Sequence, residues 1–167
     1  MKIYLLRHGL TDACFKQTKM KDVCLSDTGI RQIHDLLDHL PGSIKTIYCS
    51  PTLRTIESAE IIQKRLGCKI VVDGRIKNKL DESNPDYFQN LQTFLSDLPL
   101  DKGEILLVSH GRIIKMIYSI INHHKIDKDV IDHLEIDYGD LFCLETTEDH
   151  TLVFKDWKKL NGAVPPG

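Results

Sequence analysis

The sequence predicts an α/β fold, a three-layer α/β/α sandwich with a mostly parallel central sheet. Two observations predict it. Short apolar runs alternate with segments of helical period up to about residue 124, as in a parallel sheet with helices on both faces. Two of those runs, Ile3-Tyr4-Leu5-Leu6 and Ile105-Leu106-Leu107-Val108, lead into a histidine followed by glycine. An open α/β sheet binds its ligand there, just past the carboxyl ends of its strands.

The elements follow in order. Residues 3–6, closed by Arg7-His8-Gly9, form a buried strand ending in a turn. Ser26-Asp27-Thr28 opens a helix in which Ile30, Ile33, Leu37 and Leu40 recur at helical spacing, and Pro41-Gly42 stops it. Ile44 to Cys49 is a strand. Ser50-Pro51 is a turn that starts a second helix, with Pro51 at a first helical position where no N–H is needed. That helix runs to Leu66-Gly67 with Ile56, Ala59, Ile62 and Leu66 on one face. Lys69 to Val72 is a short strand, and 73–85 a polar loop ending in Asn84-Pro85. Asp86 to Leu98 is helical through Phe88, Leu91, Phe94 and Leu95. The Glu104 to Ser109 strand leads into a helix from Arg112 to about His123. Asp140 to Thr146 and Thr151 to Trp157 are two strands joined near Glu148-Asp149. No repeat, linker or low-complexity tract appears, so 1–161 is expected to be one domain and 162–167 a disordered tail.

Composition removes several functions. The 167 residues carry a net charge of −2, which argues against a nucleic-acid partner. No apolar stretch reaches the roughly 20 residues of a membrane span, and the N-terminal run is too short for a signal sequence. The five cysteines are odd in number and lack CxxC spacing, so a reduced, cytoplasmic protein is expected. His34, His39, His123, His124, His133 and His150 have no ligand spacing, and no HExxH occurs. No metal and no cofactor are expected.

Four blocks stand at strand exits or helix starts: Arg7-His8-Gly9, Ser50-Pro51 with Arg54, the loop around Asp81-Glu82, and Ser109-His110-Gly111. Guanidinium groups stay charged and meet phosphate oxygens with paired hydrogen bonds. A neutral histidine with one free ring nitrogen is a nucleophile. Cys49 to Arg54 suggests a thiolate phosphate loop, but the spacing is Cys-x4-Arg where cysteine phosphatases use Cys-x5-Arg, so Cys49 reads as a buried strand residue.

Taken together the blocks resemble the histidine phosphatase superfamily, the phosphoglycerate mutase-like family. The resemblance runs through Leu6-Arg7-His8-Gly9 with Thr11, Leu25-Ser26-Asp27-Thr28-Gly29 with Gln32, Ser50-Pro51-Thr52-Leu53-Arg54-Thr55 with Ala59, and Ser109-His110-Gly111, in the family's order over the first two thirds of the chain. It implies a phosphoglycerate mutase-like fold and a phosphatase with His8 as nucleophile through a phosphohistidine. It also implies a phosphate-binding set of Arg7, Arg54, His110 and Gly111, without a metal. Thr11 and Ser109 are left outside the site.

Two positions depart from the family pattern. Cys14 stands where an asparagine often contacts phosphate, and a thiol is a weak donor. The triplet Ile76-Lys77-Asn78 stands where a Leu-x-Glu often supplies the general acid. Protonation of the leaving oxygen then falls to Glu82, Asp81, His110 or water, with Glu82 preferred for its reach. Only 55 residues lie between Arg54 and His110, leaving no room for the long insertions of the mutases. A phosphorylated small molecule is the first substrate expectation. A phosphohistidine-bearing phosphoprotein is the second, and a catalytically weak phosphate-binding or scaffold protein the rival class.

Overall fold

The computed structural model describes residues 1–12, 22–78, 86–149 and 151–159. The strands are β1 (Lys2–Arg7), β2 (Ile44–Cys49), β3 (Lys69–Val72), β4 (Glu104–Ser109), β5 (Leu141–Thr146) and β6 (Leu152–Lys158). The helices are α1 (Asp27–Leu36), α2 (Leu53–Leu66), α3 (Asp86–Ser96), α4 (Gly111–His123) and α5 (Lys128–His133). One six-stranded sheet has the order β3-β2-β4-β1-β5-β6. The first four strands are mutually parallel; β5 runs antiparallel to β1, and β6 antiparallel to β5 and so in the direction of the other four. This is the expected α/β class, with a mixed, mostly parallel sheet.

The unbroken apolar runs of β1 and β4 are explained by burial on both faces. Ile3, Leu5, Ile105 and Leu107 pack with α3 and α4 through Leu91, Phe94, Ile113 and Ile117. Tyr4, Leu6, Leu106 and Val108 face α1 and α2 through Ile33, Leu36, Ala59 and Ile62. The alternation is the period of two that a pleated strand imposes. The register pairs Arg7 with Ser109, so His8 and His110 leave neighbouring strands at the same level. A backbone bond from His8 N to Ser109 O, 3.0 Å, holds them there.

Several expected details are corrected. On α1 the inward residues are Gly29, Ile33 and Leu36, and Ile30 is 38% exposed. The cause is Gly29, which lies against the β1 exit so closely that a Cβ would stand 2.0 Å from Leu10 O; this turns Ile30 outward. Helix α2 begins at Leu53, with Thr52 rather than Pro51 at its boundary. The Thr55 hydroxyl reaches back to accept from Thr52 N at 3.4 Å and to donate to Ser50 O at 2.6 Å, so the turn is closed by side chains before the helix starts. The buried face of α2 is Thr55, Ser58, Ala59 and Ile62, with Ile56 and Leu66 half-buried. The polar segment after β3 contains a 3-10 turn, Gly74–Ile76, whose Ile76 is fully buried. Helix α3 ends at Ser96 and α4 begins at Gly111, and the short α5 was not anticipated. Cys14, Asp81, Glu82 and the tail 162–167 lie outside the described residues. Among the described residues no helix is long and apolar enough to cross a membrane.

Candidate active site

The exit of β1 delivers His8, only 5% exposed. Its Nδ1 lies 2.8 Å from Gly9 O. A carbonyl can only accept, so Nδ1 carries the proton and Nε2 is left bare. Gly9 cannot carry a side chain here, because a Cβ would stand 2.6 Å from Gly29 O. Gly9 N in turn donates to Ser58 Oγ at 3.3 Å. The glycines of the first two sequence blocks thus press the His8 turn onto the start of α1.

Arg54, on the first turn of α2, faces both histidines. Its Nε points at His8 Nε2 over 3.3 Å and its Nη2 at His110 Nδ1 over 3.4 Å. A guanidinium only donates, so His110 Nδ1 accepts. His110 Nε2 then donates to Ser50 Oγ, 2.9 Å away. The imidazole centroids are 5.3 Å apart with planes at 71°. Asp22 stands 3.6 Å from Arg54 Nη1 and accepts Leu53 N on both oxygens at 2.9 Å, which ties the arginine to the helix start.

Arg7 approaches from the far side. Its Nη1 donates to Ile136 O, and its Cζ lies 3.7 Å from the Tyr138 ring centroid. Gly111, the first residue of α4, leaves room for it; a Cβ there would stand 3.3 Å from Arg7 Cδ and Nε.

Burial, with Arg54 and Arg7 adding to it against the opposing Gly9 bond, pushes the His8 pKa down from 6.5 to about 3. Burial first, then His8, Arg54, Arg7 and Lys77, push His110 down to about 3. Both rings are therefore neutral near pH 7. Burial also lowers the Arg7 and Arg54 pKa values, and a guanidinium still keeps its charge. The result is a neutral, oriented imidazole between two cations, which suits attack on an anionic electrophile.

These groups line one cleft of about 690 Å³, together with Thr11, Asn78, Arg112, Lys115 and Tyr138. The structure thus brings together Arg7, His8, Arg54, His110 and Gly111, and puts Asn78 on the cleft wall. Glu82, the expected acid, and its rival Asp81 lie outside the described residues. Ser109 is buried and donates to Ile76 O at 2.8 Å, a packing role. Thr11 was set aside in the sequence and lies on the cleft wall. Three residues had not been singled out for the site: Ser50, the hydroxyl on His110; Asp22, the carboxylate on Arg54; and Tyr138, the ring on Arg7. Ser50 carried a signal, since it opens the Ser-Pro block. Asp22 and Tyr138 sit in loops and carried none. Cys49 is fully buried and burial pushes its thiol up to about 11, against thiolate chemistry. Among the described residues no group of three or more His, Cys, Asp or Glu side chains could hold a metal ion.

The sequence profile of the Histidine phosphatase superfamily (branch 1) matches residues 3–93. No curated protein matches the chain. Among solved structures, the α-ribazole phosphatase from Shigella flexneri superposes with a TM-score of 0.75 at 15% identity, covering 96% of this chain and 97% of that one. Phosphoserine phosphatase from Entamoeba histolytica, in complex with 3-phosphoglyceric acid, gives 0.71 at 18% identity over 95% and 96%. The protein histidine phosphatase SixA, complexed with tungstate, gives 0.74 at 15% identity over 96% and 98%. At these identities the likeness is one of fold.

Proposed function

Because this chain belongs to the histidine phosphatase superfamily, and is with it a phosphatase, we propose that it hydrolyses phosphate monoesters through a phosphohistidine formed on His8. One observation carries the reading: His8 donates from Nδ1 to Gly9 O at 2.8 Å, which leaves Nε2 unprotonated and facing Arg54.

In the first step His8 Nε2 attacks phosphorus, the P–N bond forms, and the bond to the leaving oxygen breaks. The leaving oxygen takes a proton from the general acid or from water. In the second step water attacks phosphorus and gives up a proton to the group or solvent that protonated the leaving oxygen, the P–N bond breaks, and His8 returns neutral with inorganic phosphate released. A phosphate monoester is close to −2 at pH 7. Arg7 and Arg54 supply the compensating charge, and neutral His110, braced by Ser50, accepts from Arg54 on Nδ1 and so holds that arginine in place. This charge makes a metal unnecessary, so dialysis against EDTA should leave the rate unchanged.

Brief reaction with a labelled phosphoester should leave an acid-labile, base-stable label on His8. Acid-stable label, or full turnover in His8→Ala, would contradict the reading. Phosphorylated small molecules are the first substrate class. Asn78 on the cleft wall favours a second one, phosphohistidine on a protein. An imidazole leaves readily with little acid assistance, and an amide at that wall offers none. Turnover of p-nitrophenyl phosphate separates either enzyme from a phosphate-binding scaffold.

A further inference from the structure

We propose that Tyr138 is a positioning residue for phosphoryl transfer: its ring and the Gly111 backbone clamp the Arg7 guanidinium as a fixed wall of the phosphoryl pocket. The proposal rests on the assignment of Arg7 and His8 to that pocket.

Three groups hold Arg7. The Tyr138 ring centroid is 3.7 Å from Arg7 Cζ, close enough for the negative face of the ring to attract the cation strongly. Gly111 also lies against it, where a Cβ would come within 3.3 Å of Arg7 Cδ and Nε and 3.5 Å of Cζ. One edge of the guanidinium is spent on Ile136 O through Nη1. Motion of the guanidinium plane is therefore restricted, with Nε buried and Nη1 held by Ile136 O. The same ring stands 5.5 Å from the His8 ring, tilted by 54°, so it fixes the spacing between nucleophile and cation.

The loop that carries Tyr138 is itself held. Gly139 adopts φ 78, a left-handed conformation suited to glycine. Gly139 N donates to Arg7 O at 3.1 Å, and Arg7 N to Asp140 O at 3.2 Å. Asp140 is fully buried. Its Oδ2 accepts from Asp137 N at 2.8 Å and from Trp157 Nε1 at 3.3 Å. The loop is thus tied to β1 by backbone and to β6 by the tryptophan. An unclamped arginine would lose rotamer freedom on meeting the phosphoryl group; here that loss is taken on folding, before substrate arrives.

The test uses the full chain with Tyr138→Leu, Tyr138→Phe and each combined with Arg7→Lys. Readouts are kcat and KM on p-nitrophenyl phosphate, vanadate inhibition, and calorimetric affinity for inorganic phosphate. Tyr138→Leu is expected to lower kcat about 10- to 50-fold, with KM moving less and vanadate inhibition weakened in parallel, less than the full loss of a charge-stabilising donor. Tyr138→Phe, which restores the ring and removes only the hydroxyl's hydrogen bond with Arg7, is expected to recover to within about threefold of wild type. With Arg7→Lys there is no planar cation to clamp, so adding Tyr138→Leu should cost at most about threefold more. Wild-type kcat and vanadate inhibition in Tyr138→Leu would overturn the proposal. So would a Phe variant as impaired as Leu, which would assign the role to the hydroxyl, or full additivity with Arg7→Lys. Should Tyr138→Leu fail to fold, Tyr138→Met takes its place. Phosphate affinity reads the clamp even if His8→Ala retains turnover, so failure of the nucleophile assignment and failure of the clamp are distinguishable.

Discussion

Removing Arg54 tests the site most directly, because one side chain touches both histidines. The magnitude follows from its position. Its side chain is 20% exposed, so an effective dielectric near 20 applies, and a unit charge about 4 Å away is then worth about 4 kcal/mol. Loss of a single charge-stabilising donor in other enzymes costs about 2.7 to 4 kcal/mol, or roughly 10²- to 10³-fold in rate. The two routes agree, so Arg54→Ala should lower kcat/KM on p-nitrophenyl phosphate by about 10²- to 10³-fold. The substitution has a second effect of known sign. Arg54 helps hold His8 and His110 at about 3; without the cation both pKa values rise, though burial still keeps them below 6.5. Steady-state kinetics read the first effect, and imidazole NMR titration of the free enzyme reads the second. Turnover within threefold of wild type, in a variant with native circular dichroism, would refute the assignment of Arg54 to the phosphoryl group. Unmoved histidine titrations would refute the electrostatic argument alone.

Three further outcomes are expected. Gly29→Ala places a Cβ 2.0 Å from a backbone oxygen of Leu10 and should cost about 3 kcal/mol or more in urea unfolding, whereas Gly42→Ala, with nothing within 4 Å, should stay within about 0.5 kcal/mol of wild type. Because His8 and His110 are lowered from 6.5 to about 3, the unfolded chain binds more protons between those values; their contribution to stability is complete above about pH 6.5 and is lost as pH falls toward 3, so the urea midpoint should drop across that window and drop less steeply in His110→Gln. Aryl phosphates should be strongly preferred over alkyl phosphates, and Glu82→Gln should slow alkyl substrates selectively; a plot of kcat/KM against leaving-group pKa that is flat in the wild type would show an efficient acid.

Much of the chemistry was legible because it is local in the sequence. Arg7, His8, His110 and Gly111 sit within two residues of a strand end, and the apolar runs before them are unambiguous. Arg54 was legible through Ser50-Pro51, although the helix start was misplaced because the side-chain closure by Thr52 and Thr55 resembles a continued turn. Ile30 was misjudged because helical spacing fixes a period and not a phase; the phase came from a backbone contact at Gly29. Tyr138 and Asp22 could not be found, since what recruits them is a contact with a residue far along the chain. Ile76 was hidden for a similar reason, an isolated apolar residue between charged neighbours that the core happens to need.

The central strand has a history that its final position conceals. Ile3 pairs with Ile105 on one side and Leu144 on the other, so β1 is made about a hundred residues before either of its neighbours. Closing loops of that size is slow, because their entropy is lost before any pairing rewards it. Meanwhile Ile3 to Leu6, buried on both faces in the end, is an apolar segment open to other chains. Synthesis of this protein should therefore depend on how fast β4 and β5 emerge after β1 and on chaperones that shield β1 in the interval. A nascent chain stopped before residue 134 would contain every block that marks the family and would still lack the Ile136 carbonyl and the Tyr138 ring that finish Arg7.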